Sequence, residues 1–296
     1  MKLLRIGPPG DESWAVLAPD RSGAERLWAA STVLADGEPA FTPAALARIR
    51  AALADGTLPQ SASDPAAVRL GSPIPRPGSI VCVGMNYVAH AAESGARPPQ
   101  IPVLFLKPAN TAAGPFDAAP IPPLAQKYDW EVELGVVIGS PLSYAASTDE
   151  AMAAVAGYLV ANDLSEREYQ IPGEAGQWTK GKSLPASTPL GPWFVPADEL
   201  DVGNLRLRSW VNGEPRQDSN TADMIFDVPT LVHHASQYMS LEPGDVVLTG
   251  TPEGVALSGR FPYLQTGDVV EMEIEGLGRM RQEFYRAGSP RTPSEA

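Results

Sequence analysis

Lys127-Tyr128-Asp129-Trp130-Glu131-Val132-Glu133-Leu134-Gly135-Val136-Val137-Ile138-Gly139 reads as a β-strand with chemistry on it. Trp130, Val132, Leu134, Val136 and Ile138 recur at every second position, which predicts a strand with one apolar face. Glu131 and Glu133 then share the opposite face, because residues two apart on a strand point the same way. Two carboxylates side by side next to a buried sheet lose solvation and repel each other. Spacing alone favours a solvated face; the alternative is a cation seated on it.

Outward from this strand, Tyr158-Leu159-Val160-Ala161-Asn162 predicts a second one, ending at Asp163. By itself Asp163 reads as a turn-capping residue. If the two strands are neighbours, three carboxylates converge, and such a cluster is stable only when protonated or bound to a cation. Oxygen ligands without Cys or His point to hard Mg²⁺ or Mn²⁺ rather than zinc.

His90 and Glu93 lie three apart on the helix-like Val88–Glu93, so they face the same way. They are either an exposed pair or packed histidine, or a dyad in which Glu93 orients the ring and His90 takes a proton from water. Lys182, in Trp178-Thr179-Lys180-Gly181-Lys182-Ser183, is a loop lysine or an oxyanion stabiliser beside an anionic metal site. Arg167 and Gln170 follow Asp163 closely; they face solvent or hold a carboxylate, which arginine can grip with two bonds. Thr251, in the turn Thr249–Val255, belongs to a plain turn or an anion-binding one. Gly84-Met85-Asn86-Tyr87 is a tight turn where backbone can approach a ligand. Lys107, before Pro108, is a weaker candidate. His233 and His234 are adjacent on a predicted helix, point apart, and read as structural.

The chain has 296 residues, 44% hydrophobic and 19% charged, and a formal net charge of −13. With no basic run to neutralise phosphates, nucleic acid and anionic membranes are unsuitable partners. No apolar run reaches membrane length, and the start turns too early for a signal peptide. The single cysteine, Cys82, rules out an internal disulfide framework. These readings together predict a cytoplasmic protein. No GxGxxG or P-loop spacing occurs.

Residues 1–71 read as a small N-terminal α+β module. In it Trp14–Leu17 is a strand, and a helix opens at Thr42-Pro43, carries Leu46, Ile49 and Leu53, and closes at Gly56. Ser72–Gly78, with three prolines, reads as a linker. Residues 72–286 form the main domain: strands at Ser79–Gly84, Val103–Lys107, Leu205–Val211, Val246–Thr249 and Val269–Ile274, a hairpin turn at Asn212-Gly213, and helices over 149–156 and 229–238. Residues 287–296 read as a disordered tail. The fold class is mainly β, or α+β.

Taken together, Gly84–Tyr87 with His90 and Glu93, Glu131-Val132-Glu133, Asn162–Arg167 with Gln170, Gly181-Lys182-Ser183 leading to Pro189–Pro192, and Thr249–Val255 resemble the fumarylacetoacetate hydrolase superfamily, in its order, over about 72 to 285. The resemblance implies a mixed β-roll catalytic domain, a homodimer, and Mg²⁺ or Mn²⁺ held by Glu131, Glu133 and Asp163. It makes His90 and Glu93 the water-activating dyad and Lys182 the electrophile, with Tyr87, Arg167, Gln170 and Thr251 beside a small 2-oxo acid substrate. Met85 departs from the arginine or leucine of many acylpyruvase-like members. The activity implied is hydrolysis of a C–C bond in a 2,4-dioxo acid. Oxaloacetate decarboxylation and 2-hydroxyhepta-2,4-diene-1,7-dioate isomerisation or hydration use the same site, and a non-catalytic β-roll binding module is a further alternative.

Overall fold

The alternating stretch forms a strand in the computed structural model, but a shorter one than its pattern predicts. The structure describes residues 1–288 other than 36, 66, 94, 96, 172, 174 and 175. In chain order it contains β1 (Lys2–Ile6), β2 (Ser13–Pro19), β3 (Glu25–Ala29), α1 (Pro43–Ala54), β4 (Leu70–Gly71), β5 (Ile80–Gly84), α2 (Val88–Glu93), β6 (Val103–Lys107), β7 (Ala112–Ala113), β8 (Ala119–Ile121), β9 (Tyr128–Asp129) and β10 (Val132–Ile138). There follow α3 (Thr148–Ala153), β11 (Val155–Asn162), β12 (Ser165–Glu166), α4 (Arg167–Gln170), α5 (Trp178–Lys182), β13 (Thr188–Pro196), β14 (Arg206–Val211), β15 (Glu214–Asn220), α6 (Val228–Ser236), β16 (Val246–Leu248), β17 (Val269–Ile274) and β18 (Gly278–Arg286).

The predicted strand over 127–139 is thus split into β9 and β10. The Asp129 side chain accepts from the Trp130 amide, and the Asn162 side chain accepts from the Glu131 amide. Side chains take the hydrogen bonds a continuous ladder would need.

Three sheets result. An eleven-stranded one runs β3-β2-β1-β13-β11-β10-β16-β5-β6, with β4 and β7 added; a five-stranded one runs β15-β14-β17-β18-β8; β9 and β12 pair separately. Every residue of β10 is buried, so the solvated face that spacing alone favours is not found. Val132, Leu134, Val136 and Ile138 pack into a core with Leu207, Val270, Met272, Ile274 and Phe284 of the five-stranded sheet. Val137, on the other face, packs with Leu3, Val16, Phe41 and Ile49. The strand therefore carries a near-continuous apolar run, as doubly covered strands do.

The N-terminal strands join the large sheet through Leu3 opposite Phe194. Of the expected linker, Ser72, Pro73 and Ile74 are buried, and Ser72 Oγ donates to the Ile74 carbonyl. The helix starting at Pro43 is capped by Thr42, whose hydroxyl accepts from the Ala45 amide. Asn212 and Gly213 adopt φ of 54° and 79°, the left-handed pair of a tight hairpin turn between β14 and β15. The expected helix over 149–156 stops at Ala153, and its last predicted residues begin β11. Of the tail expected from 287, residues 289–296 lie outside the described part. No helix among the described residues is long and apolar enough to cross a membrane. Mostly strands, a few short helices and mixed pairing give an α+β fold of the expected type.

Candidate active site

Register builds the site. β10 and β11 are antiparallel with Val132 opposite Asn162 and Glu133 opposite Ala161, so Asp163 falls beside Glu131, and its amide donates to the Glu131 carbonyl at 3.0 Å. One oxygen each from Glu131, Glu133 and Asp163 lies within 4.8 Å of the others, and all three residues are buried. The neighbouring strands are cut to meet them. After β16, the Gly250 amide donates to Glu133 Oε2 at 2.7 Å. After β5, parallel to β16, the chain turns into α2, which carries His90 and Glu93.

Three cations answer Glu131, Asp163 and the neighbouring Asp129. Lys182 Nζ is 2.6 Å from Glu131 Oε2 and 2.5 Å from Asp163 Oδ2. Arg167 Nη2 is 2.7 Å from Glu131 Oε1 and 2.8 Å from Asp129 Oδ2. Lys107 Nζ is 2.5 Å from Asp163 Oδ1 and donates to the Ser187 carbonyl at 2.7 Å. Burial opposes ionisation of Glu131, but Lys182 and Arg167 outweigh it and hold the carboxyl at about 2. Burial likewise opposes the charge on Lys182, and Asp163 with Glu131 more than restores it, so its pKa is raised. Glu133 has no cation of its own. Burial, then Asp163 and Glu131, push its carboxyl well above the ordinary range. A divalent ion would relieve that imbalance, and oxygen donors suit a hard one.

A cavity of about 200 Å³ opens onto this cluster; its walls include His90, Glu131, Glu133, Asp163, Arg167, Gln170, Lys182 and Thr251. Glu93 stands behind His90, with Oε2 3.9 Å from Nδ1. It accepts from the Gly254 amide and from Arg260. Burial alone would raise the Glu93 carboxyl, but His90, the Gly254 amide and Arg260 together lower it. Gln170 accepts from Arg167 Nη1 at 2.9 Å, fixing the guanidinium plane. Thr251 donates to the Val132 carbonyl and accepts from Gln217. Tyr87 departs from the expectation of a substrate contact. Its ring is 1% exposed and packed in the main core, because the turn after β5 directs it inward. His233 and His234 lie on α6, away from the cavity walls.

Five further residues support the site: Asp129, Lys107, Gln217, Phe105 and Trp178. Asp129 anchors Arg167 and accepts from the Ala256 and Leu257 amides; it continues the alternation Asp129, Glu131, Glu133, which was the signal. Lys107 is fully buried against Asp163. Gln217 reaches from β15 to accept from the Val132 amide, tying the second sheet to the acid strand. Phe105 and Trp178 form a cavity wall, ring centroids 5.5 Å apart. Gly181 has a local reason: a Cβ there would stand 2.5 Å from the Gln170 backbone, so only glycine lets α5 press on α4. A larger crevice of about 470 Å³ near the N-terminal strands is lined by Arg5, Glu12 and Trp14, but there Arg5 and Glu12 pair with each other.

The family model for the C-terminal domain of fumarylacetoacetate (FAA) hydrolase matches residues 79–285. A relative from Burkholderia multivorans, bearing only a provisional hydrolase name, is 45% identical over 288 residues, covering 95% of this chain and 98% of its own. Among solved structures, the 2-hydroxyhepta-2,4-diene-1,7-dioate isomerase of Mycobacterium marinum superposes with a TM-score of 0.76 at 34% identity, covering 98% of this chain and all of that one. Maleylpyruvate hydrolase from Sphingobium sp. SYK-6, solved with manganese(II) and pyruvate, gives a TM-score of 0.78 at 27% identity over 97% of this chain and 99% of that one. Fold, buried acid cluster and these likenesses agree: the chain belongs to the fumarylacetoacetate hydrolase family and is an enzyme of that family.

Proposed function

We propose that the protein hydrolyses a C–C bond in a 2,4-dioxo acid of the acylpyruvate type. The observation that carries this reading is the convergence of three buried carboxylates and His90 on one small cavity. Glu131, Glu133 and Asp163 would hold Mg²⁺ or Mn²⁺, which when bound supplies Lewis-acid polarisation of the α-oxo acid. The donor set supports such an ion, as does the manganese and pyruvate in the maleylpyruvate hydrolase relative.

The side chains supply the rest. His90, oriented by Glu93, takes a proton from water, and the resulting hydroxide attacks the C4 carbonyl. The C3–C4 bond breaks, C4 leaves as a carboxylic acid, and its electron pair passes into the enolate of pyruvate. Lys182, kept charged by its carboxylate partners, faces that developing negative charge. The enolate carbon C3 then takes up the proton that His90 removed from water, which restores the free imidazole. Arg167, held in plane by Gln170 and Asp129, and Thr251 orient the acid head. The proposal includes a homodimer in the cytoplasm; light scattering on purified protein checks the first part.

The test assays His90→Ala and Glu131→Ala with 2,4-dioxopentanoate and added Mn²⁺. Loss of a general base predicts a fall of at least about 100-fold for His90→Ala. Near-normal turnover by both variants, with folding intact, would refute the assignment. A second reading, isomerisation of a 2-hydroxydienoate, is favoured by the Mycobacterium marinum relative. Product analysis separates the two, since isomerisation conserves the carbon skeleton.

A further inference from the structure

The cavity has two unlike walls. One is the charged cluster; the other is made by Val83, Met85, Phe105, Ile171, Trp178 and Leu257. This apolar wall is tightly built. Trp178 lies so close over Gly84 that a Cβ there would stand 2.0 Å from its ring. The same ring meets Phe105 edge-on at 5.5 Å. Met85 sits at φ 55°, in the left-handed region, at the turn that brings it to the cavity.

Among the described residues lining the cavity, the lysines and arginines are Arg167 and Lys182, and in the reading above both already serve the acid head and its enolate. Lys182 is bound by Glu131 and Asp163, Arg167 by Asp129 and Glu131. Arg260 approaches only as far as Glu93. Among the described residues of these walls no further lysine or arginine is left to receive a second carboxylate, and the net charge of −13 adds a repulsive background. A carboxylate pressed against an apolar wall loses its hydration without compensation, whereas an alkyl group gains from the same burial. At about 200 Å³ the cavity is small for a ligand pocket, and ordinary pockets start at roughly 300 Å³.

We propose that the site selects 2-oxo acids whose far end is a short uncharged acyl chain and discriminates against those ending in a second carboxylate. The inference rests on the reading above, that the acid cluster takes the 2-oxo acid head. The isomerase among the solved relatives is named for a dicarboxylate, so the proposal sets this chain apart from it.

The experiment uses pairs matched in carbon number. kcat/KM is measured for 2,4-dioxoheptanoate and 2,4-dioxoheptanedioate with added Mn²⁺. Calorimetry then gives Kd for 2-oxohexanoate and 2-oxohexanedioate under the same conditions. The uncharged-tail member is expected to lead by at least about 10-fold in each pair, the cost of leaving one polar group unsatisfied. Met85→Arg, which puts a guanidinium on the apolar wall, should narrow or reverse both ratios. Equal or reversed ratios in the unmodified enzyme overturn the proposal, whether or not the variant folds. Absence of turnover with the binding preference intact refutes C–C hydrolysis and upholds the tail selectivity. Turnover of both substrates without preference refutes the selectivity alone, and absence of binding by either 2-oxo acid overturns both.

Discussion

Lys107→Met offers the sharpest test of how the acid cluster is held. The Lys107 side chain is fully enclosed, and its Nζ serves Asp163 Oδ1 at 2.5 Å and the Ser187 carbonyl at 2.7 Å. Methionine keeps the length and apolar stem but removes the charge and the donors. Removing one partner of a buried pair costs about 3–5 kcal/mol, chiefly because the other charge is left uncompensated. Lys182 still contacts Asp163 Oδ2, so the lower end, about 3 kcal/mol, is expected. In a chain this large that corresponds to a fall in Tm of about 5 °C. Urea and thermal unfolding in chelator-treated buffer would measure it. The mechanism is tested by adding Asp163→Asn. If the penalty is an orphaned carboxylate, the double variant should be more stable than the sum of the single losses by at least about 1 kcal/mol. Additive losses, or a single variant within about 1 kcal/mol of the parent, would refute the reasoning.

Gly181→Ala should cost about 1–3 kcal/mol through overpacking, because its Cβ would meet Gln170 backbone at 2.5 Å; a fall in kcat from displaced Lys182 is expected with it, and unchanged kcat would count against the packing account. Glu133→Gln should abolish calorimetric Mn²⁺ binding while leaving the thermal unfolding of metal-free protein nearly unchanged or improved, since burial and two acidic neighbours already disfavour its charge. The lowered Glu93 carboxyl sets a pH dependence. Its folded value lies below the unfolded one, about 4.3, so its stabilising contribution is present above that pH and disappears as pH falls through the folded value. Glu93→Gln should therefore flatten the acid limb of a stability-against-pH curve, and an unchanged limb would contradict it.

Alternation made Glu131 and Glu133 legible, because period two is a local property of the chain. Asp163 was legible only as a strand end; that it lies beside Glu131 depends on a register the sequence does not print. Asp129 has the same parity as the two glutamates, but its role as anchor of Arg167, 38 residues downstream, leaves no local mark. Lys107 looked marginal for a related reason: a lysine beside a proline at a strand end resembles many surface lysines, and only tertiary packing buries it. Tyr87, which the resemblance puts beside the substrate, has its ring in the main core and not among the cavity walls, an orientation that no local pattern states. The second covering of β10 was also hidden, since Val137 meets Phe41 and Leu3 from far upstream. Such long-range pairing, including Leu3 with Phe194, leaves no local trace.

The acids and the apolar wall rest on different parts of the sheet. Glu133 lies on β10, Glu131 immediately precedes that strand and Asp163 immediately follows β11, and both strands are flanked on both sides. Phe105 belongs to the outermost strand, β6, and Trp178 to a helix of five residues laid beside it. A central strand tolerates little change, whereas an outer strand and a short helix can be refashioned without unsettling their neighbours. The acid cluster could thus stay constant while a lineage, or an engineer, reshapes the apolar wall by altering a few side chains at the margin.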